Sequence, residues 1–141
     1  MKLGLMLGDL IGSLFRSPAT VRYPTTRLPA PAGLRGLVQW NRLKCTGCGV
    51  CVMDCPANAL QLVTLDKSSK RFVLDYHLER CTFCSQCVQS CRQGALVMSN
   101  SGWELATANL GDLVLHYGEP EDVLRVLADR LASGAGTGHS A

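Results

Sequence analysis

Eight cysteines fall in two runs of identical spacing, and no other feature limits the possible folds of this chain so strongly. The first run reads Cys45-x2-Cys48-x2-Cys51-x3-Cys55-Pro56 and the second Cys81-x2-Cys84-x2-Cys87-x3-Cys91. Displacing one run by 36 positions superposes all four cysteine pairs, together with Thr46 on Thr82, Val52 on Val88, Ala59 on Ala95 and Leu60 on Leu96. Self-similarity at a fixed period predicts two copies of one small unit. Each copy reads as a Cys-rich loop, a short helix around the fourth Cys and then a strand, Leu60–Leu65 in the first and Leu96–Ser99 in the second.

Three thiolates at i, i+3 and i+6 on a tight loop can wrap three corners of a cube. The fourth corner must come from elsewhere, and in this spacing the fourth Cys of each run serves the other cluster. The expectation is therefore two [4Fe–4S] clusters. Cluster I takes Cys45, Cys48, Cys51 and Cys91; cluster II takes Cys81, Cys84, Cys87 and Cys55. Zinc fits less well, because it prefers paired ligands separated by a longer loop and has no use for a third Cys. A disulfide framework fits poorly with closely spaced thiols and no secretory context. Gly47 and Gly49 leave room for backbone N–H groups to approach sulfur, while Val50, Val52, Leu60, Phe83, Val88 and Leu96 are candidates to keep water out. Burial disfavours the more charged, reduced cluster and N–H···S bonds favour it, so this shell sets the potential.

The rest of the chain predicts an α+β domain with extensions. With 141 residues, 47% hydrophobic and 18% charged, one globular domain with tails is expected. Residues 2–16 have helical amphipathic periodicity, with Leu3, Met6, Leu7, Leu10, Ile11 and Leu14 on one face and Lys2, Asp9, Ser13 and Arg16 opposite. That helix either packs on its own domain or lies on a membrane surface or partner subunit. It is shorter than the ~20 apolar residues of a bilayer span, and no cleavage pattern follows it, so it reads as retained. Pro18, Pro24, Pro29 and Pro31 make residues 17–36 an extended strap. Strands are expected at Val38–Trp40, at Arg71–Tyr76 and at Trp103–Thr107. A helix opens at Glu119-Pro120-Glu121-Asp122, with Val123, Leu124, Leu127, Ala128 and Leu131 as its apolar face. The domains are then 1–36 (helix and strap), 37–108 (cluster domain), 109–132 (C-terminal helical extension) and 133–141 (disordered tail).

Charge and the remaining polar residues narrow the function. Residues 1–44 carry seven basic residues against Asp9 alone, a net +6, which leaves −3 for the rest of a chain at +3. A basic arm on a mildly acidic body suits an anionic partner or membrane surface, and the small total gives no case for nucleic acid. His77, His116 and His139 show no ligand or triad spacing, Gly134–Gly138 is no phosphate loop, and Asp112 and Glu119–Asp122 read as surface and helix-start acids. No catalytic residue is expected; the chain moves electrons.

The cysteine pattern resembles the bacterial-type two-[4Fe–4S] ferredoxin fold. Val21-Arg22-Tyr23-Pro24 and Leu34-Arg35-Gly36 resemble the ferredoxin-like subunit I of respiratory complex I. Glu104-Leu105-Ala106-Thr107 is closer to the corresponding subunit of energy-converting membrane-bound [NiFe] hydrogenases and formate hydrogenlyases. The likeness covers about residues 1–115 and implies a wiring subunit, peripheral on the cytoplasmic side of the cell membrane. Its implied partners are a neighbouring Fe–S subunit, a hydrogenase-like or quinone-site large subunit and an ion-pumping membrane arm, along which the N-terminal helix lies. Two departures bear on cluster potentials: Arg92 stands where the family has Pro, and Ser85-Gln86 replaces a Gly-Arg type pair. The other readings are a freely diffusing soluble ferredoxin, which the basic pI of about 8.5 and the long N-terminal segment disfavour, and a structural cluster domain within a larger enzyme.

Overall fold

The computed structural model describes residues 6–100 and 106–134. It divides into two compact units at residues 30 and 31. In the first, α1 (Leu7–Leu14) carries the expected apolar face, and Met6, Leu7, Leu10, Ile11, Leu14 and Phe15 are all exposed. Residues 2–5 of the expected helix lie outside the described residues, as do Trp103 to Leu105 of the expected strand and most of the 133–141 tail; Ala106 and Thr107 are not in a strand.

The second unit is mixed helix and sheet. A two-stranded antiparallel sheet pairs β1 (Val38–Trp40) with β4 (Leu96–Met98), Trp40 opposite Leu96. A three-stranded antiparallel sheet has the order β2 (Leu60–Asp66), β3 (Arg71–His77), β5 (Val114–Tyr117), with Leu60 opposite Tyr76. The sequence repeat is a structural one. Asn41 N–H donates to the Ala95 carbonyl at 2.7 Å, and His77 N–H donates to the Ala59 carbonyl at 2.8 Å; the two bonds join positions equivalent under the 36-residue displacement. The two short helices sit around the third Cys of each run rather than the expected fourth: α2 (Val50–Met53) contains Cys51 and α3 (Gln86–Ser90) contains Cys87, and both end before Cys55 and Cys91.

β3 is buried on both faces because it is the middle strand, and alternation sends its residues two ways. Leu74 and Tyr76 join Val38, Leu60, Leu78, Cys87 and Leu96 in the core. Each fully buried apolar side chain of this size contributes about 1.5–3 kcal/mol. Arg71, Val73 and Asp75 face the other way, toward α4 (Pro120–Ala132): Asp122 pairs with Arg71, and Arg130 Nη2 lies 2.5 Å from Asp75 Oδ2. Asp122 is a helix-start acid as expected, and it is fully buried. One expectation is corrected here. The inward face of α4 is Asp122, Val123, Val126, Leu127 and Arg130, whereas Leu124 and Leu131 are 67% and 80% exposed. β5 was not expected either; it adds residues 114–117 to the sheet of the cysteine unit, and its Tyr117 hydroxyl donates to the Val38 carbonyl at 2.8 Å, tying the two sheets together.

Candidate iron–sulfur centre

The eight cysteines are all free thiols and divide between two cavities, four to each. The first, about 380 Å³, is lined by Cys45, Cys48, Cys51 and, from the other run, Cys91. The second is lined by Cys81, Cys84, Cys87 and, from the first run, Cys55. It is narrower, about 20 Å³, and Thr82 and Cys84 of its loop are exposed. Among the described residues no three His, Cys, Asp or Glu side chains converge tightly enough to hold a single metal ion. Each sulfur quartet instead surrounds a space, a spread that suits a polynuclear body, and a donor set of four thiolates in apolar walls is the chemistry of a [4Fe–4S] site.

Both Cys loops take the same path, residue for residue. Gly47 and Phe83 are repeat-equivalent and both left-handed, at φ +68° and +53°; so are Gly49 and Ser85, at +75° and +62°. This turn aims backbone donors at sulfur. Gly47 N–H reaches Cys45 Sγ at 3.4 Å and Phe83 N–H reaches Cys81 Sγ at 3.4 Å. At the far end of each run, Ala59 N–H donates to Cys55 Sγ at 3.2 Å and Ala95 N–H to Cys91 Sγ at 3.3 Å. Such bonds stabilise negative sulfur and therefore a bound cluster's reduced state.

The electrostatics follow the same partition except that Cys51 of the first quartet also acts on Cys87 of the second. Burial, and then the neighbouring Cys45, Cys48 and Cys91 sulfurs, push the Cys51 thiol up to about 11. Burial, and then Cys81, Cys55, Cys51 and Cys84, push the Cys87 thiol up to about 11. Cys84 moves the other way, lowered first by the Gln86 N–H, then by the Thr82 hydroxyl, and to a smaller extent by Arg35. The Arg35 guanidinium donates to the Cys84 carbonyl at 3.3 Å, so the basic segment before the first run folds back onto the second.

Of the shell residues read from sequence, Gly49, Val50 and Leu96 line the first cavity, and Leu60 and Phe83 the second; Val52 and Val88 pack partly buried against the core. Arg92 lines the first cavity beside Cys91 and is exposed. Sequence reasoning missed Trp40 and Tyr76, which line the first and second cavities. The repeat displacement contained the signal, since each stands five positions before the first Cys of a run. It also missed that His116 Nδ1 meets the buried Asp75 carboxylate at 2.6 Å, a pair that cross-strand register makes from residues far apart in the chain.

Residues 44–95 match the 4Fe–4S dicluster domain model. The chain is 38% identical over 56 residues to NAD(P)H-quinone oxidoreductase subunit I of Gloeobacter violaceus, covering 40% of this chain and 27% of that protein. It is 41% identical over 51 residues to NADH-quinone oxidoreductase subunit I of Protochlamydia amoebophila, covering 33% and 32%. The chain thus spans about a third or less of these relatives' length. Among solved structures it is similar to a chain of the membrane-bound sulfane sulfur reductase, an archaeal respiratory membrane complex. That match has 28% identity and a TM-score of 0.54, and covers 70% of this chain and 51% of the other. The match of residues 44–95 to the 4Fe–4S dicluster domain model, the repeated loop geometry and the division of eight sulfurs into two quartets agree with one another.

Proposed function

We propose that this chain is an electron-transfer subunit that relays single electrons through two [4Fe–4S] clusters within a membrane-associated oxidoreductase of the complex I or membrane-bound hydrogenase kind. Cluster I is held by Cys45, Cys48, Cys51 and Cys91, and cluster II by Cys81, Cys84, Cys87 and Cys55. The observation that carries this reading is the exchange of fourth cysteines: each cavity draws three sulfurs from one run and one from the other. The bound clusters supply one-electron chemistry. The chain's own residues hold the clusters at corners fixed by the left-handed turns, exclude water with Val38, Leu60 and Leu96, and direct four N–H donors at ligand sulfurs. The partners are the neighbouring Fe–S subunit, the hydrogenase-like or quinone-site large subunit and the membrane arm, with association peripheral and on the cytoplasmic side. In support, the similar proteins are quinone oxidoreductase subunits and a chain of a respiratory membrane complex. No helix among the described residues is long and apolar enough to cross a membrane.

Anaerobically purified protein should hold about eight iron and eight sulfide, and its reduced form should show two interacting S = 1/2 centres by EPR. Cys55→Ser should perturb the same centre as Cys87→Ser, and Cys91→Ser the same centre as Cys51→Ser. Stoichiometric zinc without acid-labile sulfide would overturn the cluster reading. A Cys55→Ser effect on the Cys51 centre would overturn the crossed assignment.

A further inference from the structure

The second cavity contains a polar group that its ligand set leaves unused. Tyr76 is fully buried and lines the cavity with Cys55, Cys81, Cys84 and Cys87; its hydroxyl completes no hydrogen bond of good geometry, although the Cys81 sulfur and the Val38 backbone lie near it. Buried hydroxyls are almost always paired, so one left incompletely paired beside a ligand sulfur is a donor available to what the cavity holds.

The repeat shows that the two clusters are not treated alike. Trp40 is the equivalent of Tyr76, and the strand partners of the pair, Leu96 and Leu60, are themselves equivalent. Trp40 lines the first cavity but is only partly buried. A wholly buried phenol thus lines one cavity, and a partly buried indole the other.

We propose that the Tyr76 hydroxyl donates its hydrogen to a sulfur at the Cys81 corner of cluster II and thereby raises that cluster's reduction potential. This rests on the two-cluster, crossed-ligand reading above. The reduced cluster carries one more negative charge, so a donor to its sulfur favours reduction, and low surrounding dielectric strengthens the bond. The hydrogen stays on oxygen in both redox states and no proton is transferred. An electron on cluster I is then drawn toward cluster II.

The test uses the full chain with both clusters loaded and all eight cysteines present, titrated by EPR against ambient potential; a separate Cys84→Ser chain identifies which signal belongs to cluster II. Tyr76→Phe should lower the reduced-to-oxidised ratio of cluster II three- to tenfold at fixed potential, about 28–59 mV at ~59 mV per tenfold. Cluster I should stay in place. The variant should also lose one exchangeable deuteron coupled to cluster II in pulsed EPR after transfer to D2O. Fluorotyrosine keeps the ring and makes the hydroxyl a stronger donor, so its incorporation should move cluster II the opposite way. Tyr117 is already bound to the Val38 carbonyl, and Tyr23 belongs to the N-terminal unit. If fluorotyrosine leaves cluster II unmoved, or Tyr76→Phe leaves its potential and deuteron coupling intact, the proposal fails while the two-cluster reading stands. A native chain without two four-iron centres would instead sink that underlying reading.

Discussion

Gly47 sits where two constraints meet. Its φ is +68°, and a Cβ built there would lie 2.4 Å from Cε1 of the buried Phe72 ring. A left-handed residue costs an L side chain about 1–2 kcal/mol, and overpacking against a fixed ring adds about 1–3 kcal/mol. Gly47→Ala should therefore destabilise the domain by about 2–5 kcal/mol, read as a lower denaturation midpoint and poorer iron retention at the first cluster. Ser85 is the converse case. It is left-handed without being glycine, and as the residue before α3 its side chain makes no capping bond. Ser85→Gly should relieve strain at the cost of a more flexible unfolded chain, for a net stabilisation of about 0.5–1 kcal/mol by chemical denaturation. The sequence made the cysteine corners legible, because ligand spacing is a local property. It did not reveal the strain at Phe83 and Ser85, since neither residue type announces a positive φ. Their conformation could be inferred only by carrying Gly47 and Gly49 across the repeat.

At the scale of elements, α4 shows why hydropathy alone misplaces a helix face. Its start was legible from Pro120 and the acids around it, but its rotation is set by charge: Asp122 to Arg71 at one end and Arg130 to Asp75 at the other. Because both acids are buried, turning the helix to hide Leu124 and Leu131 would strand those carboxylates, and the apolar gain does not offset an unpaired buried charge. Asp75→Asn should cost about 1–3 kcal/mol and speed amide exchange along α4 and β5, since Asp75 also holds His116. The pH response follows from Arg71, whose guanidinium bonds to Asp122 and holds that carboxyl below its ordinary value of 3.8. A depressed folded pKa gives stability that is fully present above the unfolded value and lost as pH falls through the folded one. Exchange in α4 should thus be insensitive to this pair between pH 7 and 5 and should rise only below about 3.8. An Asp122→Asn variant should lack that acid transition. β5 escaped the sequence for a related reason: four residues of mild alternation say little until β3 offers them an edge.

For the molecule as a whole, the decisive relation is between a cluster domain with its own core and an N-terminal unit whose apolar residues face out. Every residue of the core cluster lies between Val38 and Leu96, and those packed partly buried against it between Leu37 and Tyr117. The stripe Leu7, Leu10, Ile11 and Leu14 has no such cover; each of these side chains is more than half exposed. A helix of eight residues with that face does not hold itself together in water, since helices shorter than about 12–15 residues are marginal alone. On the function proposed above, a surface beneath it supplies that stability, and the basic residues Arg16, Arg22 and Arg27 nearby favour an anionic one. Its amphipathic pattern was legible in the sequence because periodicity is local, whereas what the helix rests on is a property of another body and is not. A chain lacking residues 1–30 should therefore fold, load both clusters and keep their EPR signals. The full chain should bind vesicles rich in anionic lipid, or co-purify with membranes, several-fold better than the truncated one. Leu7→Asp with Leu10→Asp should reproduce the loss of binding without touching iron content. If truncation instead strips iron from the domain, the helix belongs to the cluster fold; if vesicle binding survives both changes, attachment runs through the cluster domain itself.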